Sequence, residues 1–199
     1  FAAALGVLLL VHVLFTRPDR LEISEHVDDL DSRQARSHIT QGLALNCLGY
    51  LITALVLYML PKMETQISEF RQGILHMVRM GAQMLTFVVL ARTVAWHFSR
   101  TAMVLCVLMF VMGLVLIGFA PGYFVTMAGF ILLGSGCGIG YMLSAYYALA
   151  LLRTKGLGSG LQETVVGTGN TVGPLYGGAI ASISTPRTSI LAGIIPVIA

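Results

Sequence analysis

Residues 101–120 carry no charged side chain, and neither do residues 122–152; only Pro121 separates the two runs. A helix that crosses a bilayer needs about 20 apolar residues, and both runs reach that length. Similar apolar stretches cover 1–16, 42–61, 73–91 (interrupted by His76 and Arg79), 161–184 (carrying Glu163) and 188–199. With 56% hydrophobic and 11% charged residues, the chain departs from soluble domains, which are nearer 25% charged. A soluble globular domain and a disordered chain are both excluded, and three cysteines are too few for a disulfide scaffold. A membrane β-barrel requires segments of about 10 residues with alternating polarity, whereas residues 102–119 are continuously apolar. The expected fold class is all-α: a polytopic transmembrane helix bundle of five complete and two partial spans.

The first stretch, 1–16, reads as the end of a span that begins outside the chain. It has no basic leader and is followed by Arg17-Pro18-Asp19-Arg20 in place of a small-residue cleavage site. Residues 17–41 mix acids and arginines without a sustained apolar face and read as a solvated linker. The final run, 188–199, spans about 18 Å of the roughly 30 Å required and reads as part of a longer helix. If the spans alternate, one side of the membrane receives Arg17, Arg20, Arg33, Arg36, Arg92, Arg100, Arg153 and Lys155. The other receives Lys62, Arg71 and Arg187. Basic residues accumulate on the cytoplasmic side, so 17–41 is expected there, in an integral, multi-pass protein of the cytoplasmic (inner) membrane. The net charge of +3 is accounted for by this bias, without a nucleic-acid partner.

Charged groups in the hydrocarbon zone cost at least about 2.5 to 3.5 kcal/mol each. Gln72, His76, Arg79 and Gln83 follow i, i+4, i+7, i+11 and therefore share one helical face. One reading has this face line a water-filled cavity in which Arg79 attracts an anionic or strongly polar solute and His76 titrates near neutral pH. The other has Arg79 form a structural ion pair. Asn46, Tyr50 and Thr53 make a second polar face at i, i+4, i+7, and Ser144, Tyr147, Asn170 and Thr171 add further hydrogen-bonding groups. Glu163 is the only acid in the later spans. It either exchanges protons or has a structural role near its helix start, capping free N–H groups or pairing with Arg92 or Arg153. Cys47, Cys106 and Cys137 lie singly in apolar runs and suggest neither a metal nor a disulfide. There is no H-E-x-x-H, no paired intramembrane aspartate and no histidine cluster, so neither an enzyme nor a bound cofactor is expected.

Gly160, Gly169, Gly173, Pro174, Gly177 and Gly178 punctuate a single span. Small residues four apart let helix backbones approach in lipid, and Pro174 permits a bend. A second cluster, Gly134-Ser135-Gly136-Cys137-Gly138-Ile139-Gly140, never satisfies G-x-G-x-x-G and reads as helix packing.

The spacing from Gly160 to Gly178 resembles the glycine-proline signature of drug/proton antiporters in the major facilitator superfamily (MFS), where it can recur in the eleventh helix. The resemblance implies the C-terminal half of a twelve-helix secondary transporter: 1–16 as the end of helix six, 17–41 as the central cytoplasmic linker, and 42–199 as helices seven to eleven plus a truncated twelfth. The family's loop echo between helices eight and nine keeps Arg92 and Arg100 but has Ala95 where the acid would stand. Taken together, the chain is expected to move a small solute by alternating access, with proton-coupled efflux as one form. Arg79, His76, Gln72, Gln83, Asn46 and Tyr50 would bind the solute, and Glu163 and Arg92 would serve gating or proton coupling. The glycines and Pro174 would pack and flex. Expected partners are a small, anionic solute, protons, the bilayer and the N-terminal half of the same protein. The alternative is a non-transporting MFS-like sensor or scaffold.

Overall fold

A computed structural model describes residues 32–63, 68–119, 122–151 and 155–198. Residues 1–31, and with them the expected end of a preceding helix and most of the linker, lie outside the described residues. The elements are α1 (Ser32–Met63), α2 (Glu69–Ala91), α3 (Arg100–Gly118), α4 (Tyr123–Leu151), α5 (Lys155–Ala181), α6 (Pro186–Ala192) and α7 (Ile195–Ile198). No strand occurs among the described residues.

Among the described residues, four helices are long and apolar enough to cross a membrane: Arg36–Met63, Glu69–Ala91, Arg100–Gly118 and Tyr123–Leu151. The fifth expected span, α5, has the length, at 27 residues, but its glycines, serines and threonines dilute its apolar character. The first helix also begins at Ser32, well before the apolar run at position 42, so part of 17–41 is helical. Residues 186–198 form two short helices in place of a single one. Pro196 has no N–H to bond back to the Ala192 carbonyl, and the chain turns at Gly193 and Ile194.

Local chemistry sets the boundaries. Ser68 caps α2 by accepting the Arg71 N–H, with Glu69 in the first turn facing the positive end of the helix dipole. Past its C-terminus the Trp96 indole N–H donates to the carbonyls of Leu90 and Thr93, at 2.8 and 2.7 Å, which folds the 92–99 connection back onto the helix end. Thr185 caps α6 by accepting the Thr188 N–H, and Pro186 occupies the first turn, where its missing N–H has no intrahelical partner to lose.

The central element is α4, which packs against α1, α2, α3 and α5, while α5 packs chiefly on α1. Its glycines are distributed among those neighbours. Gly129 and Gly136 face α3 at Ile117 and Phe110, Gly134 and Gly138 face α2, and Gly140 faces α1 at Leu45 and Asn46. Phe110, Phe130, Ile52, Leu55, Leu133 and Leu143 fill the interhelical core.

Candidate solute-binding site

Ten residues from Glu69 and twelve from Ala91, Arg79 stands about 15 and 18 Å from the two ends of α2 by helical rise, near the middle of its span. It is only 6% exposed, and Gln83 one turn on is 7% exposed. Two glycines four apart on α4 match these two residues four apart on α2. A Cβ on Gly134 would collide with the Arg79 carbonyl, and one on Gly138 would lie 3.1 Å from the Gln83 carbonyl. Close backbone approach thus holds both polar residues against α4.

The guanidinium is thinly satisfied. One terminal nitrogen donates to Gln83 Oε1 at 3.4 Å, the other approaches Met80 Sδ at 2.8 Å, and Nε has no hydrogen-bond partner among the described residues. No carboxylate contacts it among those residues. From α1, the Tyr50 hydroxyl lies within electrostatic reach of both Gln83 and Arg79. From α4, Cys137 Sγ does the same for Arg79 while contacting Thr53 Oγ1 at 3.2 Å and the Gly49 carbonyl at 3.4 Å. Asn46, one turn from Tyr50, is 1% exposed, and neither its amide oxygen nor its nitrogen has a partner among the described residues. Leaving such a group unpaired costs about 1–3 kcal/mol.

The other expected site residues are more dispersed. Gln72 is half-buried on α2, and His76 is exposed. Both Glu163 and Arg92 are exposed as well. Because α5 begins at Lys155, Glu163 lies two turns inside the helix, beyond reach of the free N–H groups of its first turn; the capping reading is therefore corrected. In contrast, Gly169, Gly173 and Gly177 form a ridge against α1: their Cβ positions would meet the Cys47 carbonyl at 2.6 Å, the Leu51 carbonyl, and Leu55 at 3.2 Å, respectively. Gly160 faces open space, and Gly178 comes no nearer than 3.7 Å to Tyr58. Pro174 sits within α5, half-buried.

Among the described residues no three His, Cys, Asp or Glu side chains converge on a metal-sized site. Two open clefts of about 440 and 310 Å³ lie between α2 and α3, sharing Leu90, Leu105 and Ile139; both are apolar, and Arg79 lines neither. Residues absent from the sequence reading of the site are Gln162, 6% exposed, and the half-buried His38. Gln162 had a signal: it precedes Gly169 by seven residues, two helical turns, and so shares the face of the packing ridge. Set against family models, curated proteins and solved structures, the chain matches none of them.

Proposed function

We propose that the chain forms part of a secondary carrier that moves a small anionic solute across the cytoplasmic membrane by alternating access. The observation that carries this reading is a buried, mid-span guanidinium with no carboxylate contact among the described residues and with hydrogen-bonding capacity to spare. A buried charge at this depth is expensive unless something neutralises it, and a guanidinium presents a planar fork suited to a carboxylate or phosphate. Gln83 and Tyr50 are neutral groups within reach of it that can orient such a ligand, and Asn46 lies one turn beyond Tyr50 on the same helix. The glycine contacts of α4 with α2 and of α5 with α1 support a mechanism in which helices slide and rock with little side-chain interlock. The MFS resemblance supplies the remaining parts of the proposal: an N-terminal half, a cytoplasmic linker and proton-coupled antiport.

The test is transport by the complete gene product reconstituted in liposomes, using a panel of small carboxylates and phosphates with and without an imposed pH gradient. Saturable movement of at least one anion, inhibited by unlabelled competitor, is expected. Absence of transport across the panel, from protein shown to be folded and inserted, contradicts a carrier for anions.

A further inference from the structure

Four side chains outside the Arg79 group share one peculiarity. Asn46, Ser144, Tyr147 and Gln162 are each more than nine-tenths buried, and each has at least one polar atom without a hydrogen-bond partner among the described residues. These atoms are both ends of the Asn46 amide, the Ser144 and Tyr147 hydroxyls, and Gln162 Nε2. The Tyr147 hydroxyl approaches the Phe98 backbone without closing a hydrogen bond.

Helix register places them together. Gly42 on α1 lies against Ser144 and Tyr147, Gly140 lies against Leu45 and Asn46, and Gly49 lies against Cys137, so numbers fall along α4 as they rise along α1. The helices α1 and α5 run in parallel: Gly169 meets Cys47, Tyr50 and Leu51, and Gly173 meets Leu51, Ala54 and Leu55. Stepping back seven residues from Gly169 brings Gln162 level with Gly42. The third pair agrees, since Gly158, one turn before Gln162, abuts the Ala148 carbonyl, one turn past Ser144. Ser144 and Gln162 are thus level with Gly42, Asn46 stands one turn to one side and Tyr147 just under one turn to the other, so three helices present uncharged, unpartnered polar groups along about 10 Å of axial rise.

The donor and acceptor balance identifies the occupant. An anion selects donors and a cation selects acceptors, whereas this set offers both: two amide N–H₂ groups, an amide oxygen, and two hydroxyls that act either way. Water needs two to four partners of mixed kind. We propose that Asn46, Ser144, Tyr147 and Gln162 hold bound water at the junction of α1, α4 and α5. Asn46 is one turn from Tyr50, and the His38 ring, 5.4 Å from that of Tyr147, stands on the side of the helix ends and the 92–99 connection. The water is placed as a step between that end and the Arg79 group. Only this use as a route rests on the carrier reading; the hydration does not.

Microsecond X-ray hydroxyl-radical footprinting of the protein in lipid nanodiscs tests the site, because radicals formed from bound water mark side chains that bulk solvent does not reach. The internal controls are Phe110 and Phe130, equally buried at 0% exposure within the apolar core. Tyr147 should be modified on the order of tenfold faster than either, and Asn46→Leu combined with Ser144→Ala should remove that excess while both controls stay silent. If that double variant exposes the controls, Ser144→Ala alone replaces it, with a reduced Tyr147 rate expected. Labelling of Tyr147 no faster than the two phenylalanines in the unaltered protein overturns the proposal, as does an excess that the folded variant retains. A protein that labels at Tyr147 yet transports nothing keeps the water site and loses the carrier reading.

Discussion

The backbone carbonyl of Arg79 occupies the space that a Cβ on Gly134 would need. Where α2 carries its buried charge, it therefore meets α4 backbone to backbone, and the side chain is positioned by a contact that only glycine permits.

Gly134→Ala forces α2 and α4 apart at that point. A cost of about 1–3 kcal/mol follows from the overpacking range, read as a lower melting temperature in detergent. The contrasting substitution is Gly81→Ala on the exposed side of α2, where nothing lies within 4 Å. There alanine gains up to about 1 kcal/mol of helix propensity without a clash. Equal effects of the two would show that the close approach carries no energy.

Gly173→Leu drives a branched side chain into the Leu51 carbonyl and Ala54. Loss of stability of at least the same order is expected, about 1–3 kcal/mol, whereas Gly160→Ala, which faces open space, should be neutral or mildly stabilising. Thermal unfolding in detergent distinguishes them.

Phe98 adopts φ = 52°, a left-handed conformation that a bulky residue pays for with strain. Its ring holds it there by packing against His38, Tyr146 and Tyr147 at centroid distances of 5.2, 5.7 and 5.3 Å. Phe98→Gly relieves strain worth about 1–3 kcal/mol but removes three ring contacts of about 0.5–1.5 kcal/mol each together with the buried area. The net expectation is a destabilised protein, measured by the same unfolding assay; a more stable glycine variant would mean that strain outweighs packing.

His97 lies in the 92–99 connection, stacked on Tyr146 at 4.0 Å and 10° and edge-on to Trp96 at 4.4 Å. Burial lowers its pKa from the ordinary 6.5. The unfolded chain then binds a proton more readily than the folded one, so this contribution to stability is complete above about pH 6.5 and is lost as pH falls through the lower folded value. Melting temperature should fall on acidification below pH 6.5, and the drop should be smaller in His97→Gln. Identical pH profiles in the two proteins would remove His97 as a source of the effect.

Much of the architecture was legible from charge alone, because a segment such as 101–120 has no other place to go than an apolar environment. The pairing of Arg79 with Gln83 was legible from their spacing of four. The burial of Gln162 beside an exposed Glu163 was harder, because charge draws attention to the wrong neighbour. Which of two adjacent residues points inward depends on the face set by Gly169, Gly173 and Gly177, and that face matters only once α1 is known to pack on it. Phe98 gave no sign of its backbone conformation, since a positive φ in a phenylalanine is imposed by the rings around it. Likewise the break at Gly193 and Pro196 competes with a continuous apolar run, and hydropathy cannot show which prevails.

Transport by Arg79 variants bears most directly on whether the buried guanidinium binds the solute. Arg79→Lys retains the charge but loses the planar fork, and Arg79→Ala loses both. In proteoliposomes containing the complete gene product, the lysine variant should show weakened substrate affinity. The alanine variant should show almost no transport, with both inserted and folded as judged by melting temperature. A folded Arg79→Ala protein that transports at the unaltered rate would contradict the assignment, and an alanine variant that fails to fold, rescued by removing a partner acid, would make Arg79 a structural ion pair instead.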